Sequence, residues 1–254
     1  MPSFWFIRHG ESESNAGLAS TSPQSIKITE KGFQQAECIA NYIQNKPSLF
    51  IHSPYLRTKQ TGQPLFEKFP NVPIEVWPIQ EYTYLPEENY YQTTTMQRYP
   101  KAQEYFRKGD PDYIAGEGAE SFNQFRSRIK TTFDKLRILD SKFTVIIGHG
   151  WFMRASLWQR LRRDGLTREK RKEEFHFLKE KLMISTIPYK LYSLFGLRPP
   201  QKIMNNFLFF SSITKIPNGT IFKFEVDSSK EIHFIDATIS HIPNELRGSS
   251  WVDR

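Results

Sequence analysis

The chain has 254 residues, of which 38% are hydrophobic and 15% are aromatic, and its formal net charge is +8. This apolar content excludes a disordered chain, and the length suits one α/β domain over 1–254 with an insertion, because such domains often reach about 250 residues. No apolar run approaches the roughly 20 residues that span a bilayer, and Cys38 is the only cysteine, so we expect a cytoplasmic protein without disulfides.

Apolar runs alternate with amphipathic stretches along the chain. Strands are predicted at residues 3–8, 49–53, 73–79, 143–148, 219–226 and 231–236. Helices are predicted from the N-cap Thr29 to Asn45, after Ser53 with Pro54 in the first position, and over 118–139. This order predicts an α/β fold, a three-layer α/β/α sandwich with a mainly parallel central sheet and a closing hairpin at one edge.

Two of the predicted strands end in a histidine beside glycine. The first is followed by His9 and Gly10, and the fourth, about 140 residues later, by His149 and Gly150. Neighbouring parallel strands end at the same edge of a sheet, where ligands bind in open α/β folds. We therefore expect the two imidazoles to meet at one site.

Arginines near these strand ends predict an anionic ligand. Arg8 comes directly before His9, and Arg57 lies where a helix begins after a strand. A guanidinium group offers forked donors that match phosphate oxygens, and helix starts favour anions. An imidazole beside such a cation can attack phosphorus, so this pattern indicates phosphoryl chemistry.

Four separated motifs carry a resemblance to a known family. Their residues are Arg8, His9, Gly10, Ser12 and Asn15, then Ser53, Pro54, Arg57 and Thr61, then Glu81, and finally Gly148, His149 and Gly150. In order and spacing this set resembles the histidine phosphatase superfamily, also called phosphoglycerate mutase-like, over residues 2–158 and again near 218–242.

The resemblance implies roles for these residues. It implies that His9 is the nucleophile, that Arg8, Arg57 and His149 form a cationic phosphate pocket, and that Asn15 and Gly150 contact the phosphate. It also implies a three-layer α/β/α fold and neither a metal ion nor an organic cofactor. The physics agrees, because phosphoryl transfer requires mainly positioning and charge stabilisation.

The leaving alcohol needs a proton, and Glu81 follows an apolar strand. We expect burial among tyrosines to raise the pKa of Glu81 toward that of a useful acid. Glu87 and Glu88 are nearby alternatives in a stretch that looks like a solvent-facing loop. The remaining residues of chemical interest are given structural interpretations. His52, His176, His233 and His241 are interpreted as non-catalytic. Glu120 and Ser121 are interpreted as capping groups at a helix start, and the alternative is that they support the catalytic residues by contacting them or their neighbours.

Mutases of this family usually have Arg, His, Tyr and Gly after the acid, whereas Tyr82 to Leu85 follow it here. We therefore predict a phosphatase that acts on a small-molecule phosphate ester or a phosphoprotein. The alternatives are a phosphoglycerate mutase-like phosphotransferase and a binding protein.

The positive charge lies in one segment, predicted as a helical basic and aromatic insertion or lid at about 159–216. Residues 154–215 hold 14 Lys and Arg against 5 Asp and Glu, a balance of +9, whereas the rest holds 21 against 22, a balance of −1. This segment could attract a polyanionic substrate or dock on an anionic membrane surface or an acidic partner, and no specific nucleic acid is expected. The sequence does not determine the oligomeric state.

Overall fold

The computed structural model describes residues 1–162, 167–181 and 203–247. Its strands are β1 (Ser3–Arg8), β2 (Leu49–His52), β3 (Ile74–Val76), β4 (Phe143–Gly148), β5 (Ile221–Val226) and β6 (Ile232–Thr238). Its helices are α1 (Glu30–Tyr42), α2 (Leu56–Lys68), α3 (Thr95–Lys108), α4 (Phe122–Ile138), α5 (Gly150–Leu161), α6 (Arg168–Lys181) and α7 (Ile203–Ile213).

The six strands form one sheet in the order β3-β2-β4-β1-β5-β6. The first four in this order run parallel, and β5 and β6 add an antiparallel hairpin at the edge. Alternate residues of β1 face opposite sides: Phe4 and Phe6 join a core with α4, α5 and α7, whereas Ile7 joins a core with α1 and α2. The predicted α/β/α sandwich is therefore confirmed.

Local hydrogen bonds, more than the pattern of apolar residues, determine where the helices begin. The Thr29 hydroxyl caps α1 by accepting from the Gly32 N–H at 3.1 Å, as predicted. The prediction that Pro54 opens the next helix is wrong: Tyr55 is the N-cap, because the Ser53 hydroxyl accepts its backbone N–H at 3.2 Å and forms a turn that delays the helix.

Helix α3 was not predicted from the sequence, because Pro100, a residue type that usually breaks helices, lies inside it. Its start is fixed by a capping box in which the Thr94 hydroxyl and the Gln97 side chain each bind the other residue's backbone N–H. It ends at Gly109, whose φ of 67° is left-handed. This helix forms one wall of the cavity described below.

The predicted insertion is helical in its described parts, α6 and α7. It begins later than residue 159, because α5 continues through Leu161. Phe175 of α6 and Phe207 of α7 are buried in the larger core, while Arg160 pairs with Glu174 at 3.5 Å and Lys181 with Asp236 at 3.2 Å. Residues 163–166 and 182–202 of this insertion lie outside the described part of the chain. Across the described helices, none combines the length and the apolar character needed to cross a membrane.

Candidate active site

The ends of β1 and β4 bring the two predicted histidines together. The strands are adjacent and parallel, with Arg8 opposite Gly148, and the His9 N–H donates to the Gly148 carbonyl at 3.0 Å. The His9 and His149 ring centroids lie 5.2 Å apart. The prediction that both imidazoles meet at one edge of the sheet is confirmed.

His9 is 3% exposed and is held in one tautomer. Its Nδ1 lies 2.7 Å from its acceptor, the Gly10 carbonyl oxygen, and so carries the proton, while Nε2 accepts a 3.3 Å hydrogen bond from Arg57 Nε. Burial, and then the charges of Arg57 and Arg8, lower the pKa of His9 well below its ordinary value. The ring is neutral at pH 7, with the Nε2 lone pair beside a guanidinium group.

Three buried arginines surround this position. Arg57 lies in the first turn of α2 and donates from Nη1 to the Pro23 carbonyl at 2.7 Å. The Arg8 side chain donates to the carbonyl of Ile216, and Arg154 Nε donates to the carbonyl of Thr214 at 2.8 Å. Arg154 was missed by sequence reasoning, although it stands about one helical turn after Gly150 on α5, a signal that could have identified it.

His149 lies beside Tyr55, with ring centroids 5.3 Å apart, and is fully buried. Its Nε2 is 2.7 Å from Ser53 Oγ, which also accepts the Tyr55 N–H, while the Thr58 hydroxyl donates to a backbone carbonyl. Ser53 therefore donates to Thr58 and accepts from His149 Nε2–H, so Nδ1 holds a lone pair. Within the described residues, Nδ1 is buried without a partner. Burial, followed by Arg57, lowers the pKa of His149.

Glu81 lies opposite these cations. One carboxylate oxygen, Oε1, accepts the Trp151 N–H at 2.9 Å and the Tyr82 N–H at 3.3 Å. The first of these donors belongs to the opening turn of α5, where backbone N–H groups lack helical partners. Burial raises the pKa of Glu81 while Arg57 and then Arg8 lower it, and burial is the larger effect. The predicted direction is confirmed.

An amide pair fixes the backbone around His9. Asn15 Oδ1 accepts from Ser12 N at 3.2 Å, from Ser12 Oγ at 3.0 Å and from Asn218 Nδ2 at 3.1 Å. Asn218 Nδ2 also donates to the His9 carbonyl at 2.9 Å. Asn15 itself lines the cavity. Asn218 was missed because it lies 209 residues from His9 in the chain.

The structure also shows the surroundings of Gly150, Ser121 and Glu120, which were predicted as a phosphate contact and as helix caps. A Cβ on Gly150 would lie 3.2 Å from Arg8 Nε and 3.2 Å from Arg154 Nη1, so its lack of a side chain lets the two guanidinium groups pack there. Ser121 caps α4, as predicted, but the capping interpretation of Glu120 is wrong, because its carboxylate pairs with Arg128 at 2.5 Å and accepts the Thr83 N–H at 3.3 Å. Glu120 thus holds the segment that follows Glu81.

The remaining candidates lie away from these groups. Glu87 and Glu88 are exposed in a short 3-10 helix, outside the cavity. His52 is buried with Nδ1 2.7 Å from the Ser53 carbonyl oxygen, and the other three histidines also lie outside the cavity: His176, His233 and His241. Among the described residues, no group of three or more His, Cys, Asp or Glu side chains could hold a metal ion.

A cavity of about 160 Å³ opens between the cations and α3. Sequence reasoning identified five of its lining residues, Arg8, His9, Asn15, Arg57 and Glu81, whereas His149 and Gly150, also predicted to bind phosphate, are not among the residues that line it. It missed most of the opposite wall, which is rich in aromatic residues with one further cation: Tyr55, Tyr84, Tyr90, Arg98 and Trp151. A water needs about 10–15 Å³, so the cavity holds on the order of ten waters, more than a phosphate group fills.

Residues 4–172 match the family model of the histidine phosphatase superfamily (branch 1). The chain belongs to this superfamily. No curated protein sequence matches the chain. Solved structures show the same fold at low sequence identity, so they inform on the fold alone.

Three of these structures are phosphatases. An alpha-ribazole phosphatase from Shigella flexneri superposes with a TM-score of 0.60 at 15% identity, covering 92% of this chain and 95% of that one. A phosphoserine phosphatase variant from Entamoeba histolytica, in complex with phosphoserine, gives 0.60 at 15% identity and covers 96% and 100%. A mycobacterial glucosyl-3-phosphoglycerate phosphatase in complex with VO3 gives 0.59 at 16% identity and covers 93% and 98%.

Proposed function

We propose that this member of the histidine phosphatase superfamily hydrolyses a phosphate monoester through a phosphohistidine on His9. The observation that carries the proposal is the state of His9: a buried, neutral ring whose Nδ1 proton is committed to the Gly10 carbonyl and whose Nε2 lone pair lies beside Arg57. A neutral imidazole with one fixed proton is a nucleophile, and the adjacent guanidinium brings the phosphate to it.

In the first step, Nε2 of His9 attacks phosphorus as the bond to the leaving oxygen breaks. Arg8, Arg57 and Arg154 surround the phosphoryl oxygens and stabilise their charge throughout the transfer. In other phosphoryl-transfer enzymes metal ions supply this charge stabilisation. Because the three arginines supply it in the proposed mechanism, no step of that mechanism requires a metal ion. The arriving dianion also favours a proton on His149 Nδ1, which then becomes a donor to it.

Glu81 carries the proton in both steps. Its raised pKa lets the protonated form protonate the leaving oxygen during the first step. Its carboxylate then removes a proton from the attacking water, which displaces Nε2 from phosphorus. Phosphate leaves, His9 returns to its neutral state and Glu81 is protonated again.

Water as the acceptor is favoured over a second sugar phosphate or phosphoglycerate. Tyr82 follows Glu81, where mutases of this family usually have arginine, and packs its ring on Phe125 at 4.5 Å. The compared structures described above are named as phosphatases, which agrees with hydrolysis. Their names share only a phosphate ester, so the organic part of the substrate must be inferred from the cavity itself.

The test is trapping of the phosphoenzyme. Wild-type protein incubated with a 32P-labelled ester and quenched should carry an acid-labile, alkali-stable label, as expected for a phosphorus–nitrogen bond. His9→Ala should carry no label and lose at least about 10⁴-fold in kcat, because the nucleophile is removed. His176→Ala, at an exposed position, is the control and should behave as wild type. A label retained by His9→Ala would refute the proposal.

A further inference from the structure

We propose that Tyr84, Tyr90 and Arg98 form a carboxylate subsite at the leaving-group end of the cavity. The substrate would then be a phosphate monoester whose alcohol part carries a carboxylate group. This inference rests on the proposed phosphatase function, since it concerns the part of the substrate that leaves.

Arg98 is a buried cation with neutral partners. It is 7% exposed, and its Nη1 donates to the Thr93 carbonyl at 2.6 Å and to Ser20 Oγ at 3.1 Å, while Nη2 donates to Thr95 Oγ1 at 3.2 Å and to Ser14 Oγ at 3.3 Å. In the part of the chain that the structure describes, no carboxylate pairs with it. A buried charge without a counter-charge is costly, so an anion that enters the cavity gains by meeting it.

One donor of Arg98 remains for a ligand. The four N–H groups on Nη1 and Nη2 face the neutral oxygens, whereas Nε–H has no acceptor among the described residues. The guanidinium also lies 4.7 Å from the centroid of the Tyr90 ring. These contacts fix its orientation, so the ligand meets a preorganised cation.

Tyr84 and Tyr90 add two hydroxyl donors. Both line the cavity, and within the described residues neither hydroxyl makes a hydrogen bond. Burial raises the pKa of Tyr84 to about 12 and that of Tyr90 further, so both keep their protons. Both tyrosines line the same cavity as the proposed acid, Glu81, and this arginine.

The donor set fits a carboxylate better than a second phosphate. One positive charge and three donors, Arg98 Nε–H and two phenols, match a single negative charge spread over two oxygens. A second phosphate would bring about two charges against one cation. Because the phosphoryl group meets Arg8, His9 and Arg57, the part of the cavity that Tyr84, Tyr90 and Arg98 line is left for the alcohol, and the carboxylate belongs to that alcohol.

The test compares two substrates of the same shape, 4-carboxyphenyl phosphate and 4-carbamoylphenyl phosphate, which differ in charge at one group. We expect wild-type protein to prefer the carboxylate by at least about tenfold in kcat/KM, because hydrogen bonds to a charged group are stronger than those to a neutral group. Equal kcat/KM values for the two esters would overturn the subsite.

The variant that isolates the subsite is Tyr84→Phe with Tyr90→Phe, which removes two hydroxyls without partners in the described chain and keeps both rings. It should lower kcat/KM for the carboxylate ester about tenfold and leave the carbamoyl ester within about twofold. Tyr91→Phe, at the neighbouring but exposed tyrosine, is the matched control and should change neither. Equal losses on both esters would mean that the hydroxyls only shape the wall.

Arg98→Gln tests the charge, and its folding is checked by circular dichroism and thermal melting because Arg98 also joins two loops. A folded variant that keeps the wild-type preference would refute the role of Arg98.

A binding experiment separates this inference from the proposed function. In His9→Ala, calorimetry should show tighter binding of the carboxylate ester than of the carbamoyl ester, by about tenfold, whether or not the wild type turns over. Absence of hydrolysis by wild type with this binding preference intact would remove the proposed function alone. Hydrolysis of both esters without the preference would remove the subsite alone.

Discussion

The two ends of the cavity are built in different ways. The end proposed to bind phosphate consists of groups at the ends of parallel strands and at helix starts, such as Arg8, His9 and Arg57, where the backbone fixes their positions. The end proposed to bind the leaving group consists of side chains from a loop and from α3, such as Tyr84 and Arg98. In the proposed function, the site for a group common to all esters thus lies on rigid elements, while the part that selects among esters lies where sequence can vary without changing the sheet.

Substitutions at the two ends of the cavity should affect hydrolysis differently. Changes at the phosphate end should reduce hydrolysis of every ester, whereas changes at the leaving-group end should act according to the alcohol.

Glu81→Gln should lower kcat by an amount that depends on how strongly the leaving group of the ester needs a proton. For an alkyl phosphate we expect kcat to fall by about 10²–10⁴-fold, because general acid catalysis contributes this much. For 4-nitrophenyl phosphate, whose leaving group hardly needs a proton, the fall should stay within about tenfold. Steady-state kinetics on both esters checks this. A similar loss on both would remove Glu81 from the acid role.

Asn218→Asp should reduce activity on all esters alike, because a carboxylate cannot donate to the His9 carbonyl and to Asn15 Oδ1. We expect kcat/KM to fall on the order of thirtyfold, with the same factor for the carboxylate and carbamoyl esters. The same change at the exposed Asn244 is the control. Loss of activity only in proportion to lost folded protein would mean that Asn218 supports the fold and not the site.

The smallest effect concerns stability and pH. Because the pKa of Glu81 is raised in the native state, native protein holds a proton that the unfolded chain releases above about pH 4.5, so this group lowers stability as pH rises. Glu81→Gln should therefore increase the free energy of unfolding by about 1 kcal/mol near pH 7.5, and the gain should shrink toward zero near pH 4.5.

In wild type and in Glu81→Gln alike, the buried histidines make the free energy of unfolding depend on pH with the opposite sign. The pKa values of His9 and His149 are lowered in the native state, so only the unfolded chain takes up their protons below about pH 6.5, and stability falls as pH falls. Urea unfolding of wild type and Glu81→Gln at several pH values separates the two contributions. A difference that stays constant with pH would show that the Glu81 proton is not its cause.

Much of the fold could be predicted because its signals are local. Short apolar runs predicted all six strands, and Thr29 and Ser121 predicted the caps of two helices. Helix α3 was not predicted, since Pro100 lies inside it; its start is fixed by a capping box, and Tyr105 packs against the core. The described part of the insertion is helical as predicted, but its charges partly pair with the body of the protein, as Lys181 does with Asp236.

Short local motifs were enough to predict the end of the cavity that we propose binds phosphate. Each of these motifs is a few residues long, and a strand followed by histidine and glycine places the imidazole through the backbone alone. Which distant groups complete the site could be seen only in the folded chain: Asn218 behind His9, Arg154 beside Glu81, and Arg98 across the cavity. These neighbours come from elements far apart in the chain, and their contacts depend on how helices and loops pack on the sheet, which no local pattern of residues specifies.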